Sequence, residues 1–199
     1  MTSTMAGGGK EPMGEEELDR FLAELHEFGQ KNSMWNVRPD DGRFLRIMTA
    51  SAGAKRVLEI GTSNGYSGIW IARALQETGG KLTTIEIDAR RAKMARENLE
   101  KTGFAGVIEV KEGDAAKVIP TIEGPFDVIF LDTEKHDYLR HFELSYPLLR
   151  KGGVYLAHNA VLMKDSMKDF LDRVQKHPDL VTVIAQTSDD GFAVSYRKK

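Results

Sequence analysis

Apolar positions along this chain change period in a regular order. From Glu15 to Gln30, Leu18, Phe21, Leu22, Leu25 and Phe28 recur at helical spacing and predict a first amphipathic helix. The stretch from Met34 to Pro39 breaks it. Asp40 or Asp41 then stands where it can cap a second helix carrying Phe44, Leu45 and Met48, with Gly53 as its stop. Beyond that point short apolar runs at 56–60, 81–87, 106–111, 126–131 and 153–157 read as strands. Helical patterns separate them at 67–77, 89–101, 115–119 and 136–149, closed by Gly79-Gly80, Gly103 and Gly152-Gly153. A last helix near 166–176 leads to apolar runs at 180–186 and 192–196, joined through Asp190-Gly191, a pair that favours a hairpin turn. Strand and helix alternate, so the expected architecture is α/β: a Rossmann-like, mostly parallel seven-stranded sheet ending in an antiparallel hairpin, with helices on both faces.

Length adds one constraint. A chain of 199 residues suits one domain with a real core. Residues 1–13, with Gly7-Gly8-Gly9, are expected to form a disordered tail, and 14–199 a single domain made of N-terminal helices (14–53) and a core (54–199). The tail lacks the apolar centre of a signal peptide, and there is no membrane-spanning run. The formal charge of -2 gives no overall attraction for nucleic acid or an anionic membrane. No cysteine is present, which excludes disulfides, thiolate metal sites and a cysteine nucleophile, and a cytoplasmic setting is expected.

In an open α/β sheet, ligands sit beyond the carboxyl ends of the strands. Here those ends are rich in polar groups: Glu59 with the loop Gly61-Thr62-Ser63-Asn64-Gly65-Tyr66-Ser67; Glu86 and Ile87; Gly113-Asp114-Ala115; Asp132 to Lys135; and His158-Asn159. The glycine loop is E-x-G-x-x-x-G. Ser63 occupies the position at which a dinucleotide-binding loop places the glycine that lets backbone approach a pyrophosphate. A carboxylate at the strand end would repel phosphates and suits a cationic ligand such as S-adenosylmethionine. Glu86, 21 residues beyond Gly65, is placed to accept from both ribose hydroxyls. Ser67, at a helix start, offers a hydroxyl and nearby backbone donors for a carboxylate. Gly113, Asp114 and Ala115 would border an adenine.

At this point the chain resembles a family, the small class I S-adenosylmethionine-dependent O-methyltransferases of the catechol and caffeoyl-CoA type. The resemblance runs from about Met34 to Lys199. It rests on Asn36-Val37-x-Pro-x-x-Gly-x-Phe-Leu, the Glu59 loop, Thr84-Ile85-Glu86-Ile87-Asp88, Gly113-Asp114-Ala115, Phe126-Asp127-x-Ile-Phe-Leu-Asp132-x-x-Lys135-x-x-Tyr138, and Leu148-Leu149-Arg150-x-Gly-Gly leading to Asn159. It implies that Asn36, Val37, Gly61, Ser63, Ser67, Glu86, Ala115 and Asp132 surround the methyl donor. It also implies that Lys135 is the general base, that the acceptor is a small aromatic hydroxyl compound, and that the protein is a homodimer using its N-terminal helices. Tyr138, Met163, Trp35 and the loop near Asp189 would line the acceptor pocket.

The resemblance further implies a divalent metal held by Asp132 and by an Asp-Asn pair after the fifth strand. This chain keeps Asp132 and Asn159 but has His158 at the middle position. Magnesium prefers oxygen ligands in a strict octahedron, and an imidazole weakens such a site. Three readings follow: a softer metal on Asp132, His158 and Asn159; no metal, with His158 as catalytic base or hydrogen-bond partner and Lys135 stabilising the developing phenolate; or a structural histidine. His136 and His141 read as surface or partner-facing residues.

Overall fold

The structure, a computed structural model, describes residues 11–199. The strands are β1 (Arg56–Ile60), β2 (Lys81–Glu86), β3 (Ile108–Glu112), β4 (Phe126–Leu131), β5 (Leu149–His158), β6 (Leu180–Ala185) and β7 (Phe192–Arg197). They form one sheet in the order β3-β2-β1-β4-β5-β7-β6. Neighbours among β1 to β5 run parallel, and β7 pairs antiparallel with both β5 and β6. Helices α1 (Glu15–Lys31), α2 (Pro39–Ser51), α3 (Tyr66–Thr78), α4 (Ala89–Thr102), α5 (Ala115–Val118), α6 (Tyr138–Ser145) and α7 (Lys168–Gln175) complete the chain. This is the expected α/β architecture.

Strand alternation sorts the core into two layers. Val57, Val128, Phe130 and Leu156 face one side, where Leu18, Leu22 and Leu25 of α1, Leu45 of α2 and Ile69, Ile71, Ala72 and Leu75 of α3 meet them. Leu58, Ile60, Ile129, Leu131 and Tyr155 face the other, against Tyr138 and Phe142 of α6 and Phe170 and Val174 of α7. Both layers are apolar because the parallel strands are covered on both faces. The parity of β1 turns Glu59 toward the α3 side, and that of β5 turns His158 toward α2. β1 pairs with both β2 and β4, so the chain reverses direction across the sheet at the carboxyl end of β1, where a crevice opens.

Three local features differ from the sequence reading. Helix α2 starts two or three residues early: Pro39 is its first residue, Arg38 sits at the N-cap, and neither Asp40 nor Asp41 caps. Proline suits this position because its missing N–H would be unpaired there anyway. Helix α6 ends at Ser145 and β5 begins at Leu149, since Pro147 cannot continue a helix. Of the expected tail, residues 1–10 lie outside the described residues, while Met13 N donates to Thr102 O at 3.1 Å, so the chain is already packed there. Among the described residues, no helix is long and apolar enough to cross a membrane.

Candidate active site

The loop after β1 is held open by its neighbours on three sides. Ser63 adopts a positive φ of 51°; its N–H donates to Glu86 Oε2 at 2.7 Å and its hydroxyl to Met34 O at 2.6 Å. Glu86 also accepts from Asp88 N–H through Oε1 at 3.0 Å. Each carboxylate oxygen therefore keeps a second lone pair for a ligand. Gly113 N–H donates to Glu86 O, and Asp114 caps α5 through Ala116 N–H, which sets Ala115 at the crevice wall. Ile87 is largely exposed at the rim. Asn36 donates to Leu25 O, and its buried Oδ1 has no protein partner; Val37 and Tyr66 are buried in the core. Thr62 and Asn64 are buried too, Thr62 Oγ1 lying 2.6 Å from Thr84 Oγ1.

Glu59 is not presented to the crevice. It is fully buried, and its two oxygens accept from Ser67 Oγ and Thr84 Oγ1, each at 2.6 Å. Ser67 therefore spends its hydroxyl proton on Glu59. Burial raises the Glu59 carboxyl to about 7, against the pull of those two hydroxyls. The folded state thus retains a proton that the unfolded chain, near 4.5, has released. Stability from this group is full below about 4.5, falls as pH rises to about 7 and is flat above it, a change of at most about 3 kcal/mol. Glu59→Gln, which imitates the neutral acid, is expected to flatten the dependence of urea unfolding on pH between those limits. An unchanged slope would show that Glu59 is ionised throughout.

Across the crevice, Asp132 N–H donates to Ile60 O at the end of β1. Lys135 Nζ meets three acceptors: Asp132 Oδ1 at 3.0 Å, Thr133 O at 2.8 Å and Tyr138 Oη at 2.9 Å. They match the three N–H donors of an ammonium. Tyr138 is buried, and its hydroxyl faces Asp132 and His158 O, so it supports Lys135 from below rather than lining a pocket. His158, 3% exposed at its side chain, lies between two carboxylates: Nε2 is 2.9 Å from Asp41 Oδ2, and Nδ1 is 3.3 Å from Asp132 Oδ2, an ion-pair distance off hydrogen-bond geometry. Asp41 also accepts from Thr187 and Ser188 in the loop before β7. Burial lowers the imidazole, but Asp132 and Asp41 more than offset it and raise it to about 9. Burial likewise pushes Asp132 up, and Lys135 and His158 override it, holding that carboxyl well below the usual range.

These positions do not fit a divalent metal on Asp132, His158 and Asn159. A ligating imidazole is neutral and offers a lone pair, whereas both ring nitrogens here face carboxylates. The other oxygen of Asp132 is held by Lys135. Asp41, His158 and Asp190 do bring ligand atoms within 4.8 Å of one another, but Arg38 already binds Asp190 at 2.9 Å and Asp41 already meets three donors, one of them the imidazole that would have to be a ligand.

Sequence reasoning missed Asp41, Thr84 and Ser188. Pro39 carried the available signal: once it is the first residue of α2, Asp41 is free of capping and can turn inward. His141, expected at the surface, is buried with Nδ1 3.0 Å from Thr133 Oγ1, while His136 is exposed. Trp35 is 81% exposed. A cleft between α4 and the amino ends of β2 and β3, lined by Lys81, Leu82, Arg96 and Leu99, lies at the opposite end of the strands from these groups.

Comparison with known proteins identifies the family. The chain is 33% identical over 175 residues to a catechol O-methyltransferase of Mycobacterium tuberculosis, covering 80% of this chain and 79% of that protein. It is 36% identical over 130 residues to one from Niastella koreensis, covering 63% of this chain and 58% of its relative. Among solved structures, an O-methyltransferase from Bacillus cereus in complex with SAH superposes with a TM-score of 0.79 at 28% identity, covering 90% of this chain and 91% of that one. One from Streptomyces achromogenes, in complex with SAM, gives 0.78 at 28% identity, covering 94% and 92%. The O-methyltransferase family model matches residues 13–190. With the crevice, its glycine loop and the carboxylates around it in place, the chain belongs to the O-methyltransferase family.

Proposed function

We propose that this protein transfers a methyl group from S-adenosylmethionine to a hydroxyl oxygen of a small, catechol-like aromatic acceptor. One observation carries the reading: the glycine loop, Glu86 and the Asp132–Lys135 pair converge at the point where β1 parts from β2 and β4. The names of the relatives support the donor and the acceptor class. The donor supplies an electrophilic methyl on a sulfonium.

Glu86 takes the ribose diol with its two remaining lone pairs, while Ser63 and Asp88 fix its orientation. Ala115 and Ile87 flank the adenine, and Asn36, Val37, Gly61 and Asp132 close the remaining sides. Lys135 stands beside the acceptor oxygen. With its three protons engaged by Asp132, Thr133 O and Tyr138, its ammonium acts on the phenolate through its charge and donates to the oxygen only by giving up one of these contacts. Its field lowers the phenol from its ordinary value of about 10, so the proton leaves to water before transfer. The acceptor oxygen then forms the C–O bond while the S–CH3 pair returns to sulfur, leaving S-adenosylhomocysteine. Both ring nitrogens of His158 lie within ion-pair distance of a carboxylate, and it is not the base in this scheme. A cytoplasmic homodimer belongs to the same proposal, supported by the family resemblance and the cysteine-free composition.

Calorimetric titration tests the donor side. The wild-type protein is expected to bind S-adenosylmethionine and not NAD, and Glu86→Ala to weaken that binding by about a hundredfold, for two charge-assisted hydrogen bonds together worth about 3 kcal/mol. Equal affinity in wild type and variant would contradict the assignment of Glu86.

A further inference from the structure

The carboxylates beside Lys135 already have a cation, and it belongs to the protein. His158 sits at the end of β5 with Asp41 Oδ2 at one ring nitrogen, Asp132 Oδ2 at the other, and the Phe192 ring 5.0 Å away. Nε2 is within hydrogen-bond distance of Asp41, and Nδ1, off hydrogen-bond geometry, stands 3.3 Å from Asp132 Oδ2, so a positive charge on the ring is attracted by both carboxylates. Asp41 is fully buried, on a helix that packs over the glycine-loop helix α3, and Thr187 and Ser188 donate to its oxygens. A buried carboxylate of this kind needs a partner of opposite charge, and among the described residues His158 is at ion-pair distance, 2.9 Å.

We propose that His158, clamped between Asp41 and Asp132, replaces the divalent cation that a carboxylate at position 158 would bind, so that methyl transfer by this chain requires no metal. The proposal rests on the methyl-transfer reading above. Charge accounting supports it. Exchanging a carboxylate for an imidazolium moves the site by two positive charges, the same charge a divalent ion would bring. Asp41, Asp132, His158 and Lys135 then cancel, and an added dication would be repelled by two cations already in contact with Asp132. Position matters as well as charge. Asp132 is oriented from one side by His158 and from the other by Lys135, so its carboxylate holds Lys135 at the crevice without a metal bridge. Asp41 is a positioning residue in this arrangement. It joins α2 and the loop before β7 to the crevice through one imidazole.

Manganese binding, followed by the paramagnetic resonance of the free ion, tests this without any need for turnover. Wild-type protein is expected to leave the free-ion signal unattenuated. His158→Asp is expected to bind about one manganese ion, at least about tenfold tighter than wild type, and to lose it when Asp132→Asn is added. Should three nearby carboxylates keep His158→Asp from folding, the double variant Asp41→Asn/His158→Asp relieves the repulsion and is held to the same result. Binding of about one ion by wild type, abolished by Asp132→Asn, would overturn the proposal. So would a folded position-158 carboxylate that binds no more manganese than wild type. If instead no acceptor yields S-adenosylhomocysteine while these binding results hold, the methyl-transfer reading fails and the replacement of the ion stands.

Discussion

Lys135→Met is expected to lower kcat by about 10²- to 10³-fold while leaving S-adenosylmethionine affinity within about twofold. Methionine fills the volume but removes the charge that meets Asp132, Thr133 O and Tyr138. The acceptor then loses the ammonium that favours its phenolate, and its hydroxyl returns toward an ordinary value of about 10. Two readouts separate this from mere disruption. The rise of rate with pH should move to higher pH in the variant, and an acidic acceptor such as a nitrocatechol, already ionised at neutral pH, should recover much of the loss. A variant equally impaired with both acceptors would assign Lys135 to packing.

Gly61→Ala is expected to abolish measurable donor binding and to destabilise the fold by about 3 kcal/mol or more. Gly61 has a φ of +105°, and a Cβ there would come 2.0 Å from the backbone oxygen of Asp132. Neither group is the movable end of a side chain. Relief of the clash must part the end of β1 from the end of β4, and that separates the glycine loop from the Asp132–Lys135 pair. Chemical unfolding and donor titration on one preparation would show both losses. A stable variant that binds the donor normally would mean that the two strand ends are not rigidly coupled.

The layered fold was readable because period carries it. The short apolar run of Val57, Leu58 and Ile60 in β1 against the helical spacing of Leu18, Leu22 and Leu25 needs no knowledge of tertiary contacts. The residues proposed for the donor side could be nominated from sequence because they cluster at strand ends in short segments. Two other features were not readable. Glu59 looks from the sequence like a ligand-facing carboxylate, yet one register position turns it into the core, where Ser67 and Thr84 take both its oxygens. His158 looks like a base or a ligand. Its partner Asp41 lies 117 residues away, and no local pattern announces a contact made by folding α2 over the carboxyl end of β5. The boundary between α6 and β5 and the start of α2 were both misplaced, although Pro147 and Pro39 carried the signal.

Transfer of a methyl group from S-adenosylmethionine to oxygen has a direct readout. Incubating the protein with S-adenosylmethionine and catechol, and measuring both products by mass spectrometry, should yield S-adenosylhomocysteine and O-methylated catechol in equal amounts. Donor binding with no methylated acceptor, or S-adenosylhomocysteine appearing without it across catechols and hydroxycinnamates, would contradict it.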